Sequence, residues 1–551
     1  MSSRRTHYIF VTGGVCSGLG KGIAAASIGA LLKACKLSVF SIKFDPYLNV
    51  DPGTMNPYQH GEVFVLKDGT ETDLDLGHYE RFLDVELTKS SSVSTGQLYQ
   101  RVIQQERAGR YLGKTIQIIP HITDAIKQII QEVTDSDKPD VLIMEIGGTV
   151  GDIEGEPFLE AARQMRHAMG NRVLFVHVAL LPYLKTTKEL KTKPAQASVR
   201  ELQRAGIQPD IIIARADETI HKDHLEKLSL FCGVPLPAVI PAKTSKSIYD
   251  VPLDMEKHGI TKTILSTLGL ESHRPALGPW RELVRKSRDG KPTLSIVLVG
   301  KYTEHGDAYL SVVEALRSAS YANNVKLALS WVDAEKLEEK DAKDWAVLKQ
   351  ADGVVVPGGF GARGVEGKIS AVRLARENKI PYLGLCLGMQ IATIEFARNV
   401  AGLKDATSTE ITPSTTVPVI HIMPDQEKKL LAQDYGATMR LGNWACKLSA
   451  GSLSAKAYGE TEVMERHRHR YEFNNEYREK LEKAGLRVAG TTEDGRLVEI
   501  VEVVDHPWFV GVQFHPEFTS RPLRPQPLFR DFIGAAKKYK TSGNTGRLDQ
   551  K

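Results

Sequence analysis

The sequence predicts an α/β protein built from two doubly wound parallel-sheet domains, and three observations carry that expectation. Short apolar runs rich in β-branched residues alternate with longer helix-patterned stretches in both halves, the pattern of a parallel sheet joined by crossover helices. The length, 551 residues, far exceeds the roughly 150 to 200 of a single domain. Each half also places a glycine-flanked reactive side chain between a strand and a helix, where open α/β sheets gather their chemistry.

In the first half, strands are expected at residues 8–11, 39–42, 141–146, 173–178 and 211–213. In the second they are expected at 294–299, 354–356, 382–385 and 509–514. Residues 271–292 carry Pro, Gly, Arg and Lys without an apolar period, so the domains are expected at 1–270 and 293–536 with 271–292 as linker. Residues 537–551 lack core-forming side chains and read as a mobile tail. No internal repeat is evident.

Composition narrows the function classes. Hydrophobic residues at 42% and charged residues at 25% are ordinary globular proportions, which exclude long fibrous or disordered stretches. A net charge of +5, from 72 basic against 67 acidic residues, is too small an excess to mark a nucleic-acid or membrane surface, so neither partner is expected. The five cysteines, Cys16, Cys35, Cys232, Cys386 and Cys446, are odd in number, widely spaced and without a CxxC pair, which argues against a disulfide framework or zinc site. The longest apolar run, 173–184, falls short of the ~20 residues of a membrane helix. No leader pattern precedes the first strand, and a cytoplasmic enzyme is expected.

Val11-Thr12-Gly13-Gly14-Val15-Cys16-Ser17-Gly18-Leu19-Gly20-Lys21-Gly22 follows a strand and precedes a helix, the placement of a phosphate loop. Glycines let backbone N–H groups surround phosphate oxygens, the helix start adds partial positive charge, and Lys21 adds a full one. Ile28, Leu31, Leu32 and Cys35 give the helix a buried face. The strict GxxxxGK[ST] pattern fails twice, in its spacing from Gly14 and in Gly22, which stands where a hydroxyl normally holds magnesium. Carboxylates elsewhere must then hold the metal, and the candidates are Asp75, after Glu71-Thr72-Asp73-Leu74, and Glu145 at the end of a strand.

In the second half, Gly384-Leu385-Cys386-Leu387-Gly388 has the GxCxG form of a nucleophile elbow between strand and helix. His515 follows a strand and can act as base, with Glu517 two residues on to orient its imidazole. Pro357-Gly358-Gly359-Phe360-Gly361, also past a strand, can present backbone donors to an oxyanion beside Leu387.

Together, Gly384-Leu385-Cys386-Leu387-Gly388, Pro357-Gly358-Gly359 and His515-Pro516-Glu517 resemble class I glutamine amidotransferase domains. The N-terminal half resembles that of the CTP synthase family through the phosphate loop, the run from Lys43-Phe44-Asp45-Pro46 to Gly53-Thr54-Met55, residues 71–82 and 145–154, and Lys191-Thr192-Lys193-Pro194. The resemblance spans residues 8 to about 536. It implies that ATP phosphorylates the 4-oxygen of UTP and that ammonia from glutamine, reaching it by an internal passage, displaces the phosphate to give CTP. ATP contacts are implied at Gly18, Leu19, Gly20, Lys21, Gly22, Ile23, Lys43 and Asp75, with Mg2+ on Asp75 and Glu145. Pyrimidine-nucleotide contacts are implied at Ser17, Lys191, Thr192, Lys193, Pro194, Ala195, Gln196 and Lys227, with Asp152, Ile153 and Glu154 meeting CTP as feedback inhibitor. Glutamine contacts are implied at Gly359, Leu387, Gly388, Met389, Gln390, Glu410 and Arg470. The charges agree, since a free amino acid offers an ammonium to Glu410 and a carboxylate to Arg470. The resemblance further implies a GTP-responsive lid at Arg363 and a homotetramer.

Other readings remain open at this level. The same glutaminase can be fused to a different ATP-dependent amidoligase, or the chain can be a nucleotide-sensing scaffold that polymerises without turnover. The run Arg466-His467-Arg468-His469-Arg470 suggests metal or RNA binding, but it lacks carboxylate or cysteine neighbours at ligand spacing and interleaved aromatics.

Overall fold

The computed structural model describes residues 5–53, 55, 60–271, 273–288, 291–301, 306–422 and 439–543. Thr54 of the quoted N-terminal run, residues 272, 289 and 290 of the expected linker and residues 544–551 of the expected tail lie outside them. The chain forms two compact units, one of residues 1–52 and 75–285, the other of residues 53–74 and 286–551. The expected division at 271–292 therefore misses an excursion: residues 53–74 belong with the C-terminal unit.

In the first unit the strands are β1 (His7–Gly14), β2 (Val39–Asp45), β3 (Ser92–Ser94), β4 (Val141–Ile146), β5 (Val173–Leu180), β6 (Ile211–Ala216) and β7 (Val239–Lys243). They form one sheet in the order β7-β6-β5-β1-β4-β2-β3, parallel throughout. β1, β4 and β5 are buried along most of their length, as parallel strands covered on both faces must be. The chain runs from β1 to β2 on one side and later crosses from β4 to β5 on the other, which makes the carboxyl end of β1 the switch point where such sheets bind ligands. Helix α1 (Lys21–Ala34) starts there and is buried nearly all round rather than on the one face its periodicity suggests.

The expected linker holds a helix, Gly278–Ser287, with Trp280, Leu283 and Val284 buried. Trp280 packs on Phe82 and Tyr249 at ring-centroid distances of 5.3 and 6.2 Å. Its sparse apolar residues at 280, 283 and 284 are a short i, i+3, i+4 stripe that the surrounding Arg and Lys conceal.

The second unit's sheet comprises β8 (Thr293–Gly300), β9 (Lys326–Asp333), β10 (Gly353–Val356), β11 (Tyr382–Leu385), β12 (Arg440–Leu448), β13 (Glu462–His469), β14 (Leu486–Thr491), β15 (Val498–Val503) and β16 (Phe509–Val512). Their order is β9-β8-β10-β11-β16-β15-β14-β12-β13. The first five are parallel, and the remaining four extend the sheet antiparallel. Period-2 alternation splits the core cleanly. Leu294, Ile296 and Leu298 pack with helices Leu310–Ala322 and Pro527–Thr541, whereas Val297 and Val299 pack with Val365–Glu377 and Leu387–Asn399 on the opposite face. Helix Pro527–Thr541 runs past residue 537 and buries Tyr539, so the expected tail begins later than its composition suggests.

Among the described residues no helix is long and apolar enough to cross a membrane. Trp280→Ala is expected to destabilise the first unit by about 3 to 5 kcal/mol through the cavity it leaves. Chemical denaturation followed by circular dichroism measures this, and an unchanged midpoint would return 278–287 to the status of a linker.

Candidate active sites

Four neighbouring parallel strands of the second unit, β8, β10, β11 and β16, end at one sheet edge and deliver Lys301, Gly358, Cys386 and His515 there. Cys386 is the junction between β11 and helix Leu387–Asn399, with φ 49° and ψ −101°. A non-glycine residue there costs about 1–3 kcal/mol of backbone strain, which surrounding packing must hold. The turn is tight enough that a Cβ on Gly388 would lie 2.2 Å from the Val356 carbonyl oxygen. The thiol sits at the helix N-terminus, facing partial positive charge. It lies 3.8 Å from the Arg468 carbonyl and 3.6 Å from Gln513 Nε2.

His515 Nδ1 and Glu517 Oε1 are 2.7 Å apart, and the imidazole stacks on Phe518 at 5.2 Å. Burial favours the neutral imidazole, but the Glu517 carboxylate and then Cys386 outweigh it and push the His515 pKa up to about 10. Since Nδ1 belongs to Glu517, Nε2 is the nitrogen left to interact with Cys386. The glycine loop closes over this pair: a Cβ on Gly358 would come within 2.6 Å of the imidazole Cε1, and one on Gly359 within 3.5 Å of Leu387 Cδ2. The three motifs thus meet at one point.

A cavity of about 230 Å3 opens beside them, lined in part by Gly358, Gly359, Cys386, Arg468 and His515. Gly53, Met55, Glu62 and Val63, from the excursion 53–74, line it too. That segment is tied in by specific contacts: Glu62 accepts from the Ser311 N–H at 2.9 Å, Arg468 Nε donates to Glu71 Oε1 at 2.7 Å, and the Val65 carbonyl accepts from the fully buried Arg466 at 3.0 Å. Phe64 meets Phe518 edge-on at 5.0 Å and so braces the ring under His515. Burial of Arg466, His467 and His469 shows that the Arg-His run is an inward-facing strand, not a basic surface.

Among the expected glutamine contacts, Glu410 and Arg470 lie within electrostatic reach of each other, and Gln390 Nε2 donates to the Tyr471 carbonyl at 2.9 Å. Glu410 already accepts the Gly361 N–H at 2.7 Å. Burial holds its carboxyl above the usual range. The Met389 side chain is wholly buried in the core. Arg363 pairs with Glu335 at 2.5 Å. Sequence reasoning missed Gln513, although it lies two residues before His515 and so shares its face of the strand end. It also missed Lys301, which follows the first strand of its sheet just as Gly358 and Cys386 follow theirs.

In the first unit, the Lys43 ammonium bridges Asp75 and Glu145, the latter at 3.0 Å, with Asp45 at 3.9 Å. Tyr79 donates to the other Glu145 oxygen. Burial raises the Glu145 carboxyl, and although burial acts on Asp75 in the same direction, Lys43 outweighs it there and keeps that group low. A Cβ on Gly22 would lie 2.2 Å from Asp75 Oδ1 and 3.4 Å from Glu145 Oε2. The Asp75 carboxylate therefore fills the space that a hydroxyl side chain at position 22 would take. Lys21 Nζ donates to the Gly148 carbonyl at 2.6 Å. A mainly apolar cavity of about 140 Å3 borders Gly20 and Ile23 and is lined also by Ile213, Arg215, Ala242 and Val251. Gly18 and Gly20 take positive φ at the loop's turn into α1.

Two of the expected pyrimidine-site residues meet at Glu189, and others open the helix that follows. Lys193 lies over the Phe231 ring at 5.4 Å, Lys191 pairs with Glu189, and Lys227 also acts on Glu189. Gln196, nearly fully buried, donates to the Thr192 hydroxyl at 3.1 Å, and Pro194 and Ala195 lie in the first turn of helix Lys193–Arg204. Ser17 is exposed on the phosphate loop. Asp152 accepts the Thr149 N–H at 2.9 Å, while Ile153 and Glu154 line a wide concavity of about 1080 Å3 with Leu48, Tyr99 and Ile118.

Residues 7–270 match the family described as CTP synthase N-terminus, and residues 305–535 match glutamine amidotransferase class-I. The chain is 56% identical to CTP synthase of Carboxydothermus hydrogenoformans, covering 97% of this chain and 99% of that protein. It is 55% identical to CTP synthase of Ruminiclostridium cellulolyticum with the same coverage. A solved glutaminase domain of Trypanosoma brucei CTPS with bound acivicin is similar over 44% of this chain and 94% of that one, at 43% identity and a TM-score of 0.42. With near-complete alignment to these relatives and both halves matched, the chain belongs to the CTP synthase family.

Proposed function

We propose that the second unit hydrolyses glutamine at Cys386 and that the first uses ATP to aminate UTP, yielding CTP. The observation that carries the reading is the alignment of Glu517, His515 and Cys386 under the Gly358 loop. The Cys386 sulfur attacks the side-chain amide carbon, and the new oxyanion is taken by the amides of Gly359 and Leu387. As the C–N bond breaks, His515 gives its proton to the departing nitrogen. Water then cleaves the thioester with His515 as base, releasing glutamate. Glu410 and Arg470 hold the amino acid's ammonium and carboxylate, and Gly388, Met389 and Gln390 complete its pocket, Met389 through its backbone.

In the first unit, the 4-oxygen of UTP takes the terminal phosphoryl group of ATP, and ammonia adds at that carbon with loss of phosphate. Lys21 and Lys43 neutralise charge developing on the phosphates, while the cavity beside Gly20 and Ile23 has the apolar lining suited to the adenine ring. Asp75 and Glu145 offer hard oxygen donors at one point, a fit for Mg2+; they would hold the ion, which would supply positive charge against that developing on the phosphates. Ser17, Lys191 to Gln196 and Lys227 hold UTP, and Asp152 to Glu154 contact inhibitory CTP. Nucleotide sites shared between subunits of a homotetramer belong to the same reading. GTP activation through the Arg363 loop and a cytoplasmic setting complete the reading.

The deciding experiment measures CTP formation from UTP, ATP and magnesium with glutamine or ammonium chloride as nitrogen source. Cys386→Ala should abolish the glutamine reaction and keep the ammonia one. No CTP from ammonia with the unaltered chain would remove the UTP assignment and leave only a glutaminase. Gly22→Ala should instead spare the glutaminase, displacing Asp75 and lowering CTP formation from either source by about 100-fold, while glutamine hydrolysis continues. A variant at wild-type rate would show that Asp75 has no part in phosphoryl transfer.

His515 is raised to about 10, so its proton is present at neutral pH and lost as pH climbs through that value. Glutamine turnover should therefore fall on an alkaline limb near pH 10. Glu517→Gln removes the main raising partner and should move that limb to lower pH, whereas ammonia-driven turnover should follow the free-base fraction of ammonia. A limb that stays put in the variant would separate Glu517 from the imidazole's titration.

A further inference from the structure

We propose that Lys301 is a positioning residue for the glutamine reaction, holding the peptide that joins Phe360 to Gly361 so that the Gly359 amide stays aimed at the developing oxyanion. The Lys301 ammonium donates to the Phe360 carbonyl at 2.7 Å and to the Gly361 carbonyl at 2.9 Å. The N–H of Gly361, at the other end of the same peptide, donates to Glu410 Oε1 at 2.7 Å. One peptide group is thus gripped at both poles, its carbonyl on a cation and its N–H on an anion. Because a peptide unit carries a dipole of about 3.5 D, opposite charges at its two ends resist its rotation.

The loop needs such a grip. Gly358, Gly359, Gly361 and Gly364 follow in quick succession, and Gly361 and Gly364 hold positive φ of 78° and 70°. That backbone has little intrinsic preference for the conformation that presents Gly359 beside Leu387. Lys301 is suited to the task because it is 7% exposed and leaves the end of β8, a rigid strand two places from β11 in the sheet. Its neighbours by charge are Glu410, Arg363, Glu335 and Glu338. Lys368, a further lysine almost fully buried on helix Val365–Glu377, is pushed down to about 7 by burial first and by Lys301 second, and burial lowers Lys301 in the same direction.

This inference rests on the glutaminase reading and adds a consequence to it. When the substrate's ammonium reaches Glu410, that carboxylate is shared between substrate and the Gly361 N–H, and Lys301 becomes the contact that keeps the peptide from turning over. Lys301 acts through the loop and not on the reacting atoms. Its loss should therefore lower the rate of the chemical step more than the affinity for glutamine.

The test compares the unaltered full-length chain with Lys301→Met and Lys301→Arg in three assays: glutamine hydrolysis, ammonia-driven CTP formation, and alkylation of Cys386 by iodoacetamide, a displacement that builds no oxyanion. Lys301→Met should lower kcat for glutamine by about 10- to 100-fold with KM within about threefold. Alkylation and the ammonia reaction should stay at wild-type rates, and Lys301→Arg, which can also donate to two carbonyls, should restore most of kcat. An unchanged kcat, a rise in KM alone, or a joint loss of hydrolysis and alkylation would each overturn the positioning role. Failure of the unaltered chain to hydrolyse glutamine would overturn the functional reading itself, and the positioning role with it.

Discussion

Charge buried at the carboxyl edge of a parallel sheet must find an opposite charge at hydrogen-bond distance, and that requirement organises both units. An unpaired buried ion costs several kcal/mol, and three buried cations here sit among carboxylates or carbonyls that other elements of the fold bring to them. Lys43 lies between Asp75 and Glu145, His515 against Glu517, and Lys301 between two loop carbonyls with Glu410 beyond. In each case the pairing fixes side chains that sequence separates widely. The geometry needed for chemistry is the one in which these charges are satisfied, so catalytic order and electrostatic stability favour the same arrangement.

The excursion 53–74 illustrates how far that logic reaches. It leaves the first unit after Pro52, packs in the second, and returns at Asp75, the first residue of helix Asp75–Leu83. Within the second unit its partners are an inward-facing strand, whose Arg466 and Arg468 take the Val65 carbonyl and the Glu71 carboxylate, and the aromatic Phe518. Arg466 is fully buried and Arg468 largely enclosed, so losing either of these acceptors would loosen the anchoring of the segment. Because Phe64 supports Phe518 and Phe518 supports the His515 ring, the placement of this imidazole depends on a segment more than 400 residues earlier in the chain.

Motifs whose parts lie close in sequence were legible before any coordinates. Cys386 with its glycines, His515 with Glu517, and the loop ending at Lys21 each declare a strand-to-helix or strand-end placement within a dozen residues, and the sheets' central strands are continuous apolar runs. Partnerships closed by the fold were not. Nothing local in Lys301 points to residues 360 and 361, nor in Glu71 to Arg468, because the separation is spanned by whole strand-helix units. The antiparallel half of the second sheet was equally hidden: β12 and β13 carry Arg, His, Glu and Lys at positions that burial and ion pairs rescue, so their hydropathy resembles a surface. The helix at 278–287 escaped for a related reason, since three apolar residues suffice to bury it while Arg and Lys dominate its composition.

Gly22 shows how a departure from a motif becomes interpretable once its surroundings are known. Taken alone, the loss of a hydroxyl after Lys21 weakens the phosphate-loop assignment, because that hydroxyl ordinarily supplies a metal ligand. In the fold, the same space receives the Asp75 carboxylate, brought in by a helix beginning 53 residues later, with Glu145 from β4 beside it. A carboxylate in place of a hydroxyl also adds a buried negative charge, which the protein must neutralise. Lys43 meets that need by drawing both carboxylates to one ammonium. The missing side chain and the extra lysine are therefore two halves of one solution: glycine makes room for the carboxylate, and the lysine neutralises it and holds it in place.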